Sequence, residues 1–150
     1  MKIVIQRVSK ASVTISQHKV AEIQGGLLIL LGIVNEDTQE DIKWLVRKIV
    51  NLRIFNDVND VMNKSLIDVD GNAIVVSQFT LHASTKKGSR PSYMKAAKPD
   101  VAIPLYQQFI ASLETALNKK VQTGEFGADM KVELLNDGPV TIIMDSKIKE

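Results

Sequence analysis

Residues 27–34, Leu-Leu-Ile-Leu-Leu-Gly-Ile-Val, narrow the folds open to this chain more than any other stretch. The run carries no polar side chain and is far too short to cross a membrane. It reads as a strand buried on both faces, and such a strand needs cover above and below. The cover is legible further on. Thr38 followed by Glu40 and Asp41 has the pattern of a helix start, and Ile42, Leu45, Val46 and Ile49 recur at helical spacing, which predicts a helix over about 38–52. Tyr106, Phe109, Ile110, Leu113 and Leu117 predict a second over about 101–118, with Pro104 confined to its first turn. Residues 2–7, 11–16, 19–23, 73–81, 121–126, 130–135 and 140–144 alternate or run apolar as strands, and Gly25-Gly26 is a turn. With 150 residues and neither repeat nor linker, the chain is expected to form one domain over 1–150. The expected class is α/β and strand-rich: a compact, barrel-like curved sheet with two helices packed outside, rather than a doubly wound sheet.

Composition removes several functions. The net charge of +2 sets up no global field for nucleic acid, so any such contact must be local. Without Cys there are no disulfides, thiol nucleophiles or thiolate metal sites, which fits a cytoplasmic protein. Lys2 and Arg7 come too early for a signal peptide, and no membrane role is expected. No phosphate loop, dinucleotide fingerprint, HExxH or GxSxG is present. The two His residues, His18 and His82, are poorly spaced for ligation, so neither metal nor cofactor is expected. His18 reads as a surface turn residue. His82 reads as an incidental strand-end residue or, if Gln78, Thr80 and His82 share one strand face, as a base for the Thr80 hydroxyl.

Four stretches carry possible chemistry. Ser77-Gln78-Phe79-Thr80 turns polar after Ile74-Val75-Val76, so these groups either satisfy neighbouring backbone or line a small polar cleft. Residues 85–98 hold Lys86, Lys87, Arg90, Lys95 and Lys98 with Tyr93 among them and no acid. That is either a solvated loop or a seat for phosphates and an unstacked base, and Gly88-Ser89-Arg90-Pro91-Ser92 favours a shaped loop. In residues 123–130, a strand, a turn and a strand, Phe126 and Met130 are core or the walls of an apolar pocket. Gly138-Pro139, between two apolar runs, is either a hairpin turn or a device aiming two carbonyl oxygens where ordinary chain cannot reach.

Taken together these pieces resemble the D-aminoacyl-tRNA deacylases. Gln6-Arg7-Val8 with Ala11-Ser12-Val13, GLLILLG at 26–32, Arg53-Ile54-Phe55, Met62-Asn63, SQFTL at 77–81, GSRPSY at 88–93, TGEFGADM at 123–130 and NDGPVT at 136–141 occur in order and cover nearly the whole chain. Tyr93 stands where the family pattern has Phe. The resemblance implies a homodimeric hydrolase that cleaves the ester between a D-amino acid and the 3′ end of tRNA. It implies that the Gly138–Pro139 peptide is cis and enters the active site of the other subunit to reject L-amino acids. Ser77, Gln78, Phe79 and Thr80 would line the catalytic pocket, with Phe126 and Met130 nearby, while Lys86, Lys87, Arg90 and Tyr93 would meet tRNA. Two routes to hydrolysis follow: attack by Thr80 Oγ, or attack by water helped by the ribose 2′-hydroxyl. The second suits a motif set with so few titratable groups. The rival outside enzymology is a tRNA- or RNA-binding module without turnover.

Overall fold

The computed structural model describes all 150 residues, Met1–Glu150. Its backbone is organised by β1 (Lys2–Ile15), one long strand where the pattern suggested two. Along one edge β1 pairs antiparallel with β3 (Gly26–Gly32) and then with β2 (His18–Ile23). Along the other edge it pairs with β8 (Lys131–Asp145) over nearly its full length. β6 (Asn72–Ser77) lies parallel to β3, and β7 (Gln122–Thr123) parallel to β6. Parallel neighbours need long crossovers. The first contains α1 (Gln39–Asn51) and a small ribbon of β4 (Phe55–Asn56) and β5 (Met62–Lys64); the second is α2 (Pro99–Leu117). β2, at one end of the strand order, packs against β6 and β7 at the other, so the sheet nearly closes on itself.

The two-faced burial expected of residues 27–34 is met. Leu27, Ile29 and Leu31 point with Ile3, Ile5 and Val75 toward Ile42, Leu45 and Ile49 of α1 and Tyr106, Phe109 and Leu113 of α2. Leu28 points the other way, with Val8, Val13, Ile74 and Val76, into the hollow of the curved sheet. α1 begins as its sequence demands: Thr38 and Asp41 form a reciprocal capping box. Tyr106 donates its hydroxyl to the Val75 carbonyl at 3.0 Å, fastening α2 to β6 just before the strand ends. The Met1 ammonium is buried against Asp37 and Ser146, and Lys147 pairs with Asp41 at 2.8 Å.

Three expectations are corrected. α2 starts at Pro99 rather than 101, so Pro104 lies inside the helix, where it is exposed and removes one helix hydrogen bond. β6 stops at Ser77, and Phe79–His82 forms a 3₁₀ turn instead of extending the strand to 81. The runs 130–135 and 140–144 are halves of the single strand β8, so Gly138-Pro139 joins no hairpin.

Candidate active site

A cavity of about 310 Å³ opens where β3 and β6 end. Leu31, Ile33 and Val76 form its apolar floor, Ser77, Gln78 and Phe79 one wall, and Phe126 to Met130 the opposite wall. Phe126 is braced by an edge-on contact with Tyr106, ring centroids 5.8 Å apart. Met130 folds its sulfur over Gly124, where a Cβ would stand only 2.3 Å from Sδ. Five residues singled out in the sequence, Ser77, Gln78, Phe79, Phe126 and Met130, thus meet around one space. Asp129 supplies its one carboxylate, which is paired with Lys131 at 3.1 Å.

The turn after Ser77 decides what this wall offers. Gln78 donates its N–H to the Leu31 carbonyl at 2.8 Å, but the N–H groups of Phe79 and Thr80 donate to nothing in the chain. Two free donors beside an apolar cavity suit an oxygen that gains negative charge. The turn lies flat on β3 because residue 32 is glycine: a Cβ there would stand 3.0 Å from Leu81 Cβ and His82 Cδ2, and 3.1 Å from the Gln78 carbonyl oxygen.

Thr80 lies behind this wall, outside the cavity lining, and its Oγ accepts from Gln78 Nε2 at 2.5 Å. The expected shared face of Thr80 and His82 is absent. With three residues per turn, positions two apart diverge. His82 Nε2 is buried with no partner at all, so it does not hold the Thr80 hydroxyl. Burial also pushes the imidazole below its ordinary value. A base-activated Thr80 therefore finds no base here.

Gly138 and Pro139 are exposed and do not line the cavity of their own chain. They form the crest of a bulge. Gln6 pairs with Thr141 and Val8 with Asn136, so four residues of β8 stand opposite Arg7 alone. The Gly138–Pro139 peptide is cis. A polar scaffold carries the bulge: Arg7, almost wholly buried, donates Nε to the Asp137 carbonyl at 2.9 Å and Nη1 to the Ile54 carbonyl at 2.7 Å. Asn136 Oδ1 accepts the Val140 N–H at 2.9 Å, and Thr141 Oγ1 donates to Gln6 Oε1 at 2.5 Å. Gly138 has φ +134°, and a Cβ would meet Val140 Cγ2 at 2.8 Å and Arg7 Nη2 at 3.0 Å. The supporting roles of Gln6, Arg7 and Asn136 escaped the sequence argument. A signal existed: Arg7 continues the core-facing series Ile3, Ile5, where a cation has to be partnered.

With this geometry in place, the comparisons decide the family. The family described as D-Tyr-tRNA(Tyr) deacylase matches residues 4–145. The chain belongs to this family. Among curated relatives of the deacylase family, a "D-aminoacyl-tRNA deacylase" of Flavobacterium johnsoniae is 69% identical over 150 residues, covering 100% of both chains. One from Bacteroides fragilis is 67% identical over the same span, again covering 100% of both. A solved structure named "c-Myc DNA Unwinding Element Binding Protein" superposes with a TM-score of 0.92 at 40% identity, over 97% of this chain and 98% of that one. A second, of a "probable eukaryotic D-amino acid tRNA deacylase", superposes at 0.83 with 16% identity over 95% and 97%, a likeness of fold alone.

The basic loop of this deacylase-family chain is tied at its base by its own backbone. Ser84 and Ser92 exchange two backbone hydrogen bonds, 2.8 and 2.9 Å, closing it into a narrow hairpin. Lys86, Lys87 and Arg90 are exposed at its tip and enter no ion pair. Tyr93 is not on that tip but beside the cavity, edge-on to Phe79 with centroids 5.0 Å apart. No group of three or more His, Cys, Asp and Glu side chains gathers as a metal site, and no helix is long and apolar enough to cross a membrane.

Proposed function

We propose that this chain hydrolyses the ester linking a D-amino acid to the 3′ end of tRNA, releasing the D-amino acid and free tRNA. The observation that carries the reading is the pair of unused N–H groups at Phe79 and Thr80, in the turn whose Phe79 walls the cavity with Ser77, Gln78, Phe126 and Met130. An aminoacyl ester is already activated, so the site needs orientation and oxyanion donors more than a strong nucleophile. Water attacks the carbonyl carbon, oriented by the neighbouring ribose 2′-hydroxyl. The carbonyl oxygen takes up the charge against the two N–H groups, each worth about 3 kcal/mol. The ester C–O bond then breaks, and the ribose 3′-oxygen leaves with a proton. The Gln78 donor on Thr80 Oγ and the unpartnered Nε2 of His82 favour this route over a Thr80 acyl-enzyme.

Chirality is read by backbone. The exposed Gly138-Pro139 bulge, stiffened by Arg7 and Asn136, enters the cavity of a second copy in a homodimer. Its carbonyl oxygens bind the α-ammonium of a D-amino acid and collide with the substituent of an L-amino acid. Discrimination of about 10⁴ needs roughly 5.5 kcal/mol, which a rigid clash supplies. Glycine lacks the clashing group, so glycyl-tRNA is hydrolysed too. Lys86, Lys87 and Arg90 meet tRNA phosphates, and the protein works in the cytoplasm without a cofactor.

Deacylation of D- and L-tyrosyl-tRNA is the decisive assay. Turnover of the D-ester alone is expected. Salt-dependent tRNA binding with no turnover of either ester leaves an RNA-binding module instead. Thr80→Ala is expected to keep substantial turnover; its complete inactivity, together with a covalent adduct trapped on Thr80 of the unmodified protein, would establish the acyl-enzyme route. Replacing Lys86, Lys87 and Arg90 by Ala is expected to raise the tRNA KM and flatten its salt dependence.

A further inference from the structure

The basic loop begins and ends beside the cavity. The loop leaves directly from the Phe79–His82 turn, where the Ala83 N–H donates to the Thr80 carbonyl at 3.0 Å. It closes on itself at Ser84 and Ser92, then returns to the cavity. Ala96 bridges to Val34, and the Ala97 N–H donates to the Ile33 carbonyl at 2.9 Å. Both Ile33 and Ala97 line the cavity. Each foot of the loop thus adjoins the cavity wall, and between them Tyr93 packs edge-on against Phe79.

Phe79 needs that contact. Phe79 is 54% exposed and belongs to neither hydrophobic core, and Tyr93 is its aromatic partner. Edge-on aromatic pairs hold ring orientation beyond what buried area explains. Without the Tyr93 ring, Phe79 has no aromatic partner at the cavity wall.

We propose that Tyr93 is a positioning residue that holds the Phe79 ring at the cavity wall, so that placement of the ester depends on how the basic loop is seated. Lys86, Lys87 and Arg90 at the tip then do more than add affinity: anionic groups that seat the loop also seat Phe79. This inference rests on the cavity being the deacylation site. It assigns Tyr93 an action through another side chain instead of a stacking contact with a base.

The test compares steady-state kinetics on D-tyrosyl-tRNA and on the D-tyrosyl ester of adenosine, which offers the loop no phosphates. Tyr93→Leu is expected to lower kcat about tenfold on both esters, the kind of loss that misplacement of a reacting group causes. Tyr93→Phe, which keeps the ring, is expected to recover most of that kcat. Because Tyr93 acts through Phe79, the Phe79→Leu/Tyr93→Leu double variant is expected to be no slower than Phe79→Leu alone. A raised KM for tRNA with kcat unchanged makes Tyr93 a direct binding residue and overturns the proposal. So does a double variant whose losses multiply. Should Tyr93→Leu fail to fold, Tyr93→His carries the same comparison with a smaller ring. Failure of the unmodified protein to cleave either ester refutes the deacylation site itself, whereas turnover unaffected by Tyr93→Leu refutes only the coupling.

Discussion

The turn at Phe79–His82 and the bulge at Gly138-Pro139 are held by opposite means. The turn rests on an apolar base: it follows the buried strand β6, lies flat on Gly32, and takes its tilt from β3 beneath it. The bulge stands on polar supports, with the buried Arg7 guanidinium underneath and Gln6, Asn136 and Thr141 at its ends. Apolar packing degrades gradually, because neighbouring side chains relax into lost volume. A buried hydrogen-bond network fails abruptly, because removing one member leaves the others desolvated and unpaired. The two parts proposed to bind and to select are therefore separable by mutation.

The largest effect is expected in the apolar base. Phe109→Ala empties a fully buried position shared by both helices and the sheet, and is expected to cost about 3–5 kcal/mol in denaturant melts. D/L preference of the molecules that remain folded is expected to hold, and its loss would mean that the two parts are not separable. Arg7→Met comes next. It strips the carbonyls of Ile54 and Asp137 of their donors and is expected to cost about 2–4 kcal/mol, with a drop in D/L preference larger than the drop in kcat. An unchanged preference would detach the bulge from chiral selection. Gly32→Ala asks three neighbours at 3.0–3.1 Å to yield. It is expected to cost about 1–2 kcal/mol while lowering kcat more than the stability loss explains; proportionate losses would mean that the tilt of the turn is immaterial.

The smallest effect is one of pH. Burial first, then the Met1 ammonium and Lys2, push His82 down, while a hydrogen bond with the Gly32 backbone and the Asp37 carboxylate pull it up; the net position lies below the ordinary value of 6.5. The unfolded chain therefore binds this proton before the folded one does. The His82 contribution is complete above about pH 6.5 and is lost as pH falls from there through the lower folded value. Asp41 adds nothing in that window. Burial alone would raise it, but hydrogen bonds from Lys147, Ser146 and Thr38 outweigh burial and hold it well below the carboxylate range. Urea midpoints between pH 7.5 and pH 5 are expected to decline in the unmodified protein and to stay flatter in His82→Leu; equal slopes would assign the decline to other groups.

Much of the architecture was open to inspection in one dimension. The apolar run 27–34, the Thr38 cap and the spacing Ile42, Leu45, Val46, Ile49 are local patterns, and local patterns reveal the period of an element and the faces it buries. The convergence of SQFTL and TGEFGADM on one cavity followed from family likeness rather than from spacing. Strand-like residues at 78–81 misled, because their β propensity yields to the polar turn that ends the sheet there.

By itself, the order of residues determined which segments are apolar, where α1 begins, and which family the chain joins. Only the folded molecule decided that Gly138-Pro139 is a bulge in one strand and not a turn between two. Arg7 and Asp137 lie 130 positions apart, and which residue of β1 faces which residue of β8 depends on the whole sheet coming together. The same holds for His82 and Thr80. Their closeness along the chain suggested a pair, but the backbone path over Gly32 sets them on different sides of a turn, and no local pattern records that path.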